Sequence, residues 1–258
     1  MPKIYKYRKF GDEDHLSLLT DREIFLADPD CFHDPNDCAV DIRLGSSPSN
    51  EFLQSLKETL RKAHPSVPKT EIDDRIQDLI EEDRLIDGTV FRNQVAGSVG
   101  VCSFACNPNT PQMWRKYAQS HTGFCVQFDF DRLNEWCQAK SSPGEGRGYF
   151  LSRVEYPSTP PVLSASELSS AQVFEKAVTT KRRKYRWEDE YRMVSNDVVH
   201  EARQVPEEAI DSVAVGLGAS RSDLEKTIEI VDHYARKIQV LKASRANDIV
   251  RFREVGVF

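Results

Sequence analysis

Phe124, Val126, Phe128 and Phe130 alternate with Cys125, Gln127 and Asp129, directly after a segment that opens at Thr110-Pro111 and closes at Gly123. A period of two with every second residue large and apolar is the pattern of a strand with one buried face. The preceding segment has the other period. Met113, Trp114, Tyr117 and Ala118 fall on one side of a helix, Thr110 is a good cap, and Pro111 is tolerated at the first helical position. Gly123 stands where a C-cap glycine would end that helix. Any fold for this chain must therefore combine helices and strands.

The rest of the chain follows suit. Ile4–Tyr7 predicts a short aromatic strand, Asp12–Leu19 a short helix and Glu23–Ala27 a second strand. Asp28–Asp37 (DPDCFHDPND) holds two Asp-Pro pairs and reads as a turn cluster. Ser46–Asn50 offers caps for a helix near Glu51 with Phe52, Leu53, Leu56 and Leu60 on one face, and His64–Pro68 breaks it. A second helix starts at Thr70, with Thr70 and Asp73 as a capping box and Ile72, Ile76, Leu79 and Ile80 as its stripe. Residues 51–86 thus predict a helical hairpin inserted in the main body.

Val99–Phe104 is a further strand, Ser141–Gly148 (SSPGEGRG) a flexible loop and Arg153–Tyr156 a short strand. Leu168, Ala171, Phe174 and Val178 mark a helix that runs into the basic run Lys181, Arg182, Arg183, Lys184 and Arg186. Tyr191–Ser195, Ser212–Leu217, Ile238–Leu241 and Val250–Phe252 are strands, and Ser222-x-x-Glu225 caps a helix carrying Leu224, Ile228, Val231 and Ala235. Strands and helices mix without regular alternation and without a repeat. The expectation is an α+β fold, a single domain over residues 1–258 with a mixed or split central β-sheet.

Composition narrows the class. Thirty-five Lys plus Arg against forty-one Asp plus Glu gives 35 − 41 = −6, which argues weakly against a general nucleic-acid binder. With 39% hydrophobic and 29% charged residues, 258 residues can bury a core without a metal or disulfide staple. No apolar run approaches the roughly 20 residues of a membrane helix, and Lys3, Lys6, Arg8 and Lys9 replace any apolar export segment. The expectation is a cytoplasmic protein without a membrane partner. Six cysteines without a CxxC pair suit reduced thiols. Walker, GxGxxG, HExxH, GxSxG and EF-hand patterns do not occur. Cys31, His33, Cys38 and His121 match no standard zinc spacing, so no metal is expected.

Three polar clusters remain. Phe32-His33-Asp34-Pro35-Asn36-Asp37 either caps its own backbone or lines a pocket beside the first strand. Trp114, Tyr117 and His121 recur at helical spacing, a core stripe or a binding face, and a helix C-terminus would stabilise an imidazolium at His121. Trp187-Glu188-Asp189-Glu190-Tyr191-Arg192 sets Glu188 and Glu190 on one face of a strand mouth. Two carboxylates there suit general-base work or ribose hydroxyls, whereas a Glu190–Arg192 pair is the structural alternative. A phosphate-bearing ligand would use the adjacent basic run.

In this order the clusters resemble a bacterial family, domain of unknown function twenty-nine seventy-one. The resemblance is carried by Tyr5-Lys6-Tyr7, Phe32 through Asp37, Cys102-Ser103-Phe104, Met113 through Phe128 and Trp187 through Arg192, with His33 and Asn36 departing from the family pattern. The opening strand, helix, strand and polar loop resemble the ADP-ribosyltransferase fold. That resemblance implies NAD as cofactor, with Lys6 or Tyr7, Ser103 and Glu190 as the catalytic set. Tyr5, His33, Asp34, Asp37, Trp114, Tyr117, His121, Glu188 and Arg192 would bind ligand. The first-strand Arg or His of that fold is missing. The alternatives are a module that binds a nucleotide or other phosphate-bearing ligand without turnover, and a defence- or toxin-associated interaction protein that meets a protein partner through the 51–86 hairpin.

Overall fold

The computed structural model describes residues 2–95, 97–142, 148–246 and 249–258. Residues 143–147 of the predicted glycine-rich loop lie outside them. The fold is α+β. Two compact units divide the chain: Met1–Ala27, Gly100–Arg153 and Trp187–Phe258 form the first, and Asp28–Val99 and Val154–Arg186 the second.

The first unit is built on β1 (Lys3–Arg8), β5 (Gly100–Ala105), β6 (Phe124–Asp129), β7 (Tyr149–Arg153), β9 (Glu190–Ser195), β11 (Ile210–Val215), β12 (Gln239–Ala246) and β13 (Ile249–Val257). They form one sheet in the order β13-β12-β11-β6-β1-β5-β9-β7. Only β11 and β12 pair in parallel, so the sheet is mixed as expected. It is also split. β1 pairs with β6 along its whole length but meets β5 at the single position Tyr5↔Ala105. A separate two-stranded sheet joins β2 (Glu23–Leu26) to β10 (Glu201–Gln204).

Alternation sorts the side chains into two cores. Ile4, Cys102, Phe104, Phe124, Val126, Phe128 and Met193 belong to the larger one, together with Leu16, Leu18 and Leu19 of α1 (Glu13–Thr20) and Val231 of α8 (Arg221–Asp232). Each large side chain withdrawn from water there contributes about 1.5–3 kcal/mol before chain entropy is counted. The other face carries Tyr7, Ala105, Cys125 and Ala214, covered by Met113, Trp114 and Ala118 from α5 (Pro111–Tyr117) and the residue after it.

In the second unit, α2 (Asn50–Ala63) and α3 (Lys69–Glu81) are the predicted hairpin. Ser49 caps α2 by accepting from the Phe52 amide. The Thr70–Asp73 box is corrected: Pro68 precedes α3 without a side-chain cap, and Asp73 instead pairs with Lys57 at 3.0 Å and Arg61 at 3.3 Å. Also here are α4 (Gly88–Val95), α7 (Ser170–Thr179) and a small sheet of β3 (Ile42–Arg43), β4 (Leu85–Ile86) and β8 (Leu163–Ser164). Helix α7 ends at Thr179, short of the basic run it was expected to enter, and Arg183, Lys184 and Arg186 lie exposed in a 3-10 turn over Arg183–Glu188.

Three further corrections have local causes. Ser220 with Asp223, rather than Ser222 with Glu225, forms the capping box of α8. The strand expected at Arg153–Tyr156 ends where it was to begin, as β7. Gly123 is no C-cap, because α5 stops at Tyr117 with Ala118 as its cap. Its lack of a side chain serves close approach instead: a Cβ there would lie 2.1 Å from the Arg8 carbonyl oxygen. Backbone cannot yield as a side chain does, so Gly123→Ala is expected to cost about 1–3 kcal/mol in urea unfolding. An unchanged midpoint would contradict this packing.

Candidate functional site

The split between β1 and β5 positions the site. Directly paired residues of neighbouring strands share a face, so the register Tyr5↔Ala105↔Glu190 lays a phenol, a methyl group and a carboxylate in one row. Ser103↔Arg192 forms the next row on the same face. Small residues on β5 thus separate Tyr5 of β1 from the charged pair of β9 on this face. Beyond the Tyr5 position, Lys6 replaces ladder bonding by donating from Nζ to the Ser103 carbonyl at 2.7 Å. Its ammonium lies 5.6 Å from the Phe104 ring centroid, on the opposite face. Burial among the strands lowers the Lys6 ammonium to about 8, offset only partly by Cys102.

Glu190 is 3% exposed and Arg192 fully buried, with Arg192 Nε donating to Glu190 Oε2 at 3.3 Å. Glu188 closes a 3-10 turn over Arg183–Glu188 and is 2% exposed. Its Oε1 accepts from Lys116 Nζ at 2.9 Å and from the Tyr117 hydroxyl at 2.7 Å. Between the two glutamates, Asp189 adopts φ 42° and turns its carboxylate out to Arg153 Nη2 at 2.7 Å. That left-handed residue lets both flanking carboxylates stay inside while its own stays outside. Tyr191 turns to the other face, where its ring packs on Phe130.

Tyr7 and Trp114 share this side of the sheet but are core residues. Tyr7 is 3% exposed, meets Trp114 edge-on at 5.2 Å and donates its hydroxyl to the Asn107 carbonyl at 3.3 Å. Trp114 donates its indole N–H to the Pro108 carbonyl at 2.8 Å. His121 stacks parallel to Trp114 at 6.4 Å, beyond the helix end, after Gln119 and Ser120 with φ of 47° and 54° and with a φ of 71° of its own. Burial, then Arg115 and Arg245, lower its pKa, so the structure favours a neutral imidazole over the imidazolium expected there.

His33, Asp34 and Asp37 belong to the second unit. Arg182 grips Asp34 through Nε at 3.1 Å and through Nη2, and Lys181 pairs with Asp37 at 3.2 Å. Asp34 also accepts the Asn36 amide at 3.1 Å, and Arg92 donates to the Pro35 carbonyl at 2.8 Å and to the Pro29 carbonyl. Two cations of the basic run thus anchor the polar loop, while His33 is exposed. Burial pushes the Asp34 carboxyl upward, but the Asn36 amide and Arg182 outweigh it and hold it below its ordinary value. A depressed folded-state pKa stabilises above the unfolded carboxyl pKa and loses that contribution as pH falls through the folded value. Between about pH 7 and about pH 3, Asp34→Asn should therefore lose less unfolding free energy than the wild type. Parallel pH profiles would contradict the pairing.

Tyr5, Ser103, Glu188, Glu190, Arg192 and Tyr117 are the expected site residues that gather in the first unit. Lys116 and Trp187, which sequence reasoning left out of the site, belong with them: Lys116 Nζ sits 4.8 Å from the Tyr117 ring and 5.4 Å from that of Trp187. Trp187 heads the W-x-x-E motif and could have been found from it, whereas nothing in the sequence singles out Lys116. Among the described residues no group of three His, Cys, Asp or Glu could hold a metal ion, and no helix is long and apolar enough to cross a membrane.

Fold and site together define an α+β protein with a buried glutamate–arginine pair in line with Tyr5 at a break in a mixed sheet. Residues 113–193 match the model of the family described as protein of unknown function (DUF2971), the family that the motifs resemble. That segment holds Trp114, Tyr117, His121, Glu188, Glu190 and Arg192, while Tyr5, Tyr7 and Ser103 lie before it. No curated protein and no solved structure gives a significant match to the chain.

Proposed function

We propose that the first unit binds NAD and uses it in ADP-ribosyltransferase-like glycosyl transfer, with Glu190 as the working carboxylate. One observation carries this reading: Ser103 and Glu190 lie on the same face of adjacent strands, beside Tyr5. Opposite faces would have ended it. NAD supplies a pyridinium leaving group, whose bond to ribose breaks with the electron pair moving onto nicotinamide. Glu190 would oppose the positive charge growing on the ribose carbon, and the proton of the attacking acceptor would pass to solvent water. The Ser103 hydroxyl orients the ribose and the Tyr5 ring offers an apolar wall. Lys6 lies on the other face and does not serve the diphosphate, and Lys3, on the face of Tyr5, is held by Asp129 and Asp211.

A second reading has its own support. Glu190 is already neutralised by a fully buried arginine, which suits a module that holds a nucleotide or other phosphate-bearing ligand without turnover. NAD added to the purified protein separates the two. A raised melting temperature with nicotinamide release supports transfer or hydrolysis, a shift without release supports binding alone, and neither effect rejects NAD.

A further inference from the structure

Beside Glu190, but independent of whether NAD is used, lies a group built for a different charge. Glu188 is 2% exposed, and Tyr117 fixes its carboxylate by donating to Oε1 at 2.7 Å. The rings of Tyr117 and Trp187 flank the same point, 4.8 and 5.4 Å from the nitrogen that now occupies it. Two π-faces around one buried carboxylate are the chemistry that recognises an organic cation. The occupant differs from the walls. Lys116 has a side chain 43% exposed, and it brings its ammonium in from the solvent side on a flexible four-carbon stem, 2.9 Å from Glu188 Oε1.

We propose that Tyr117, Trp187 and Glu188 form a receptor for an alkylammonium group, and that Lys116 is its internal, displaceable occupant. The Tyr117 hydroxyl still donates to the carboxylate when the lysine swings out, and water or an external cation then takes the lysine's place. An external ammonium must compete with a tethered one, which lowers its apparent affinity by the fraction of time the lysine is out. The ammonium can come from a free amine or from a lysine of another polypeptide. The contacts with nitrogen, carboxylate and rings are the same for both.

The test follows the indole N–H resonance of Trp187, assigned with Trp187→Phe, during titration with n-butylammonium chloride and, as neutral isostere, n-butanol. In Lys116→Ala the ammonium should move that resonance and bind about ten-fold or more tighter than in the wild type. Butanol should not, and adding Glu188→Gln should abolish the effect. Nα-acetyl-lysine amide binding more tightly than n-butylammonium would point to a polypeptide source, and equal binding to a free amine. Equal or absent response to the ammonium in Lys116→Ala and wild type would overturn the proposal. Should Lys116→Ala fail to fold, the wild type decides: a response to butanol equal to that to the ammonium, or none to either, overturns it.

Discussion

Arg192→Met should lower the unfolding free energy of the protein by about 3–5 kcal/mol in urea titration. Arg192 is the largest charged side chain with no exposed surface, and its guanidinium pairs with a carboxylate that is itself 3% exposed. Removing the cation leaves Glu190 charged in a place that water reaches poorly. The cost is that of a buried carboxylate deprived of its buried cation and exceeds the net worth of the pair. The double variant Arg192→Met with Glu190→Gln removes both charges and should recover much of the loss. A single variant as stable as the wild type would mean that Glu190 finds other neutralisation, and the site would not be organised around this pair.

That pairing was partly legible. Alternation alone puts Glu190 and Arg192 on one face of their strand and Tyr5 and Tyr7 on one face of theirs. What alternation cannot provide is neighbour order. β1, β5 and β9 are far apart in sequence, so nothing local says that Tyr5, Ala105 and Glu190 form a row. Nor does it separate a half-buried phenol at Tyr5 from a core phenol at Tyr7, since that depends on Trp114 arriving from α5.

The strand at Phe124 was readable because one of its faces is wholly buried, but its end was not. Phe130 continues the alternation, yet it starts α6 (Phe130–Ala139), because the Asp129 side chain accepts the Arg132 amide and caps a helix there. Leu133 and Cys137, four apart and both buried, were the available signal. The start of α8 shows the limit of capping rules. Ser220 and Ser222 each have an acidic residue three positions on, so the local code fits both and packing chooses the first. In the second unit the polar loop could be recognised as ordered. That its anchors are Lys181 and Arg182, far along the chain, could not.

The second large effect concerns turnover, and it tests the central claim. Glu190→Gln keeps an oxygen that can accept from Arg192 and removes the charge that would oppose a developing cation. It also leaves a buried guanidinium without its counter-charge, so the variant's own melting temperature is taken first and turnover is compared below it. Purified wild-type protein and Glu190→Gln are each mixed with NAD, nicotinamide release is followed by chromatography, and thermal shift reports binding in parallel. The account predicts release by the wild type and a fall of about a hundred-fold or more in the variant, with the NAD-induced shift kept. Release that continues undiminished in Glu190→Gln, or a wild type that neither binds NAD nor frees nicotinamide, would contradict it.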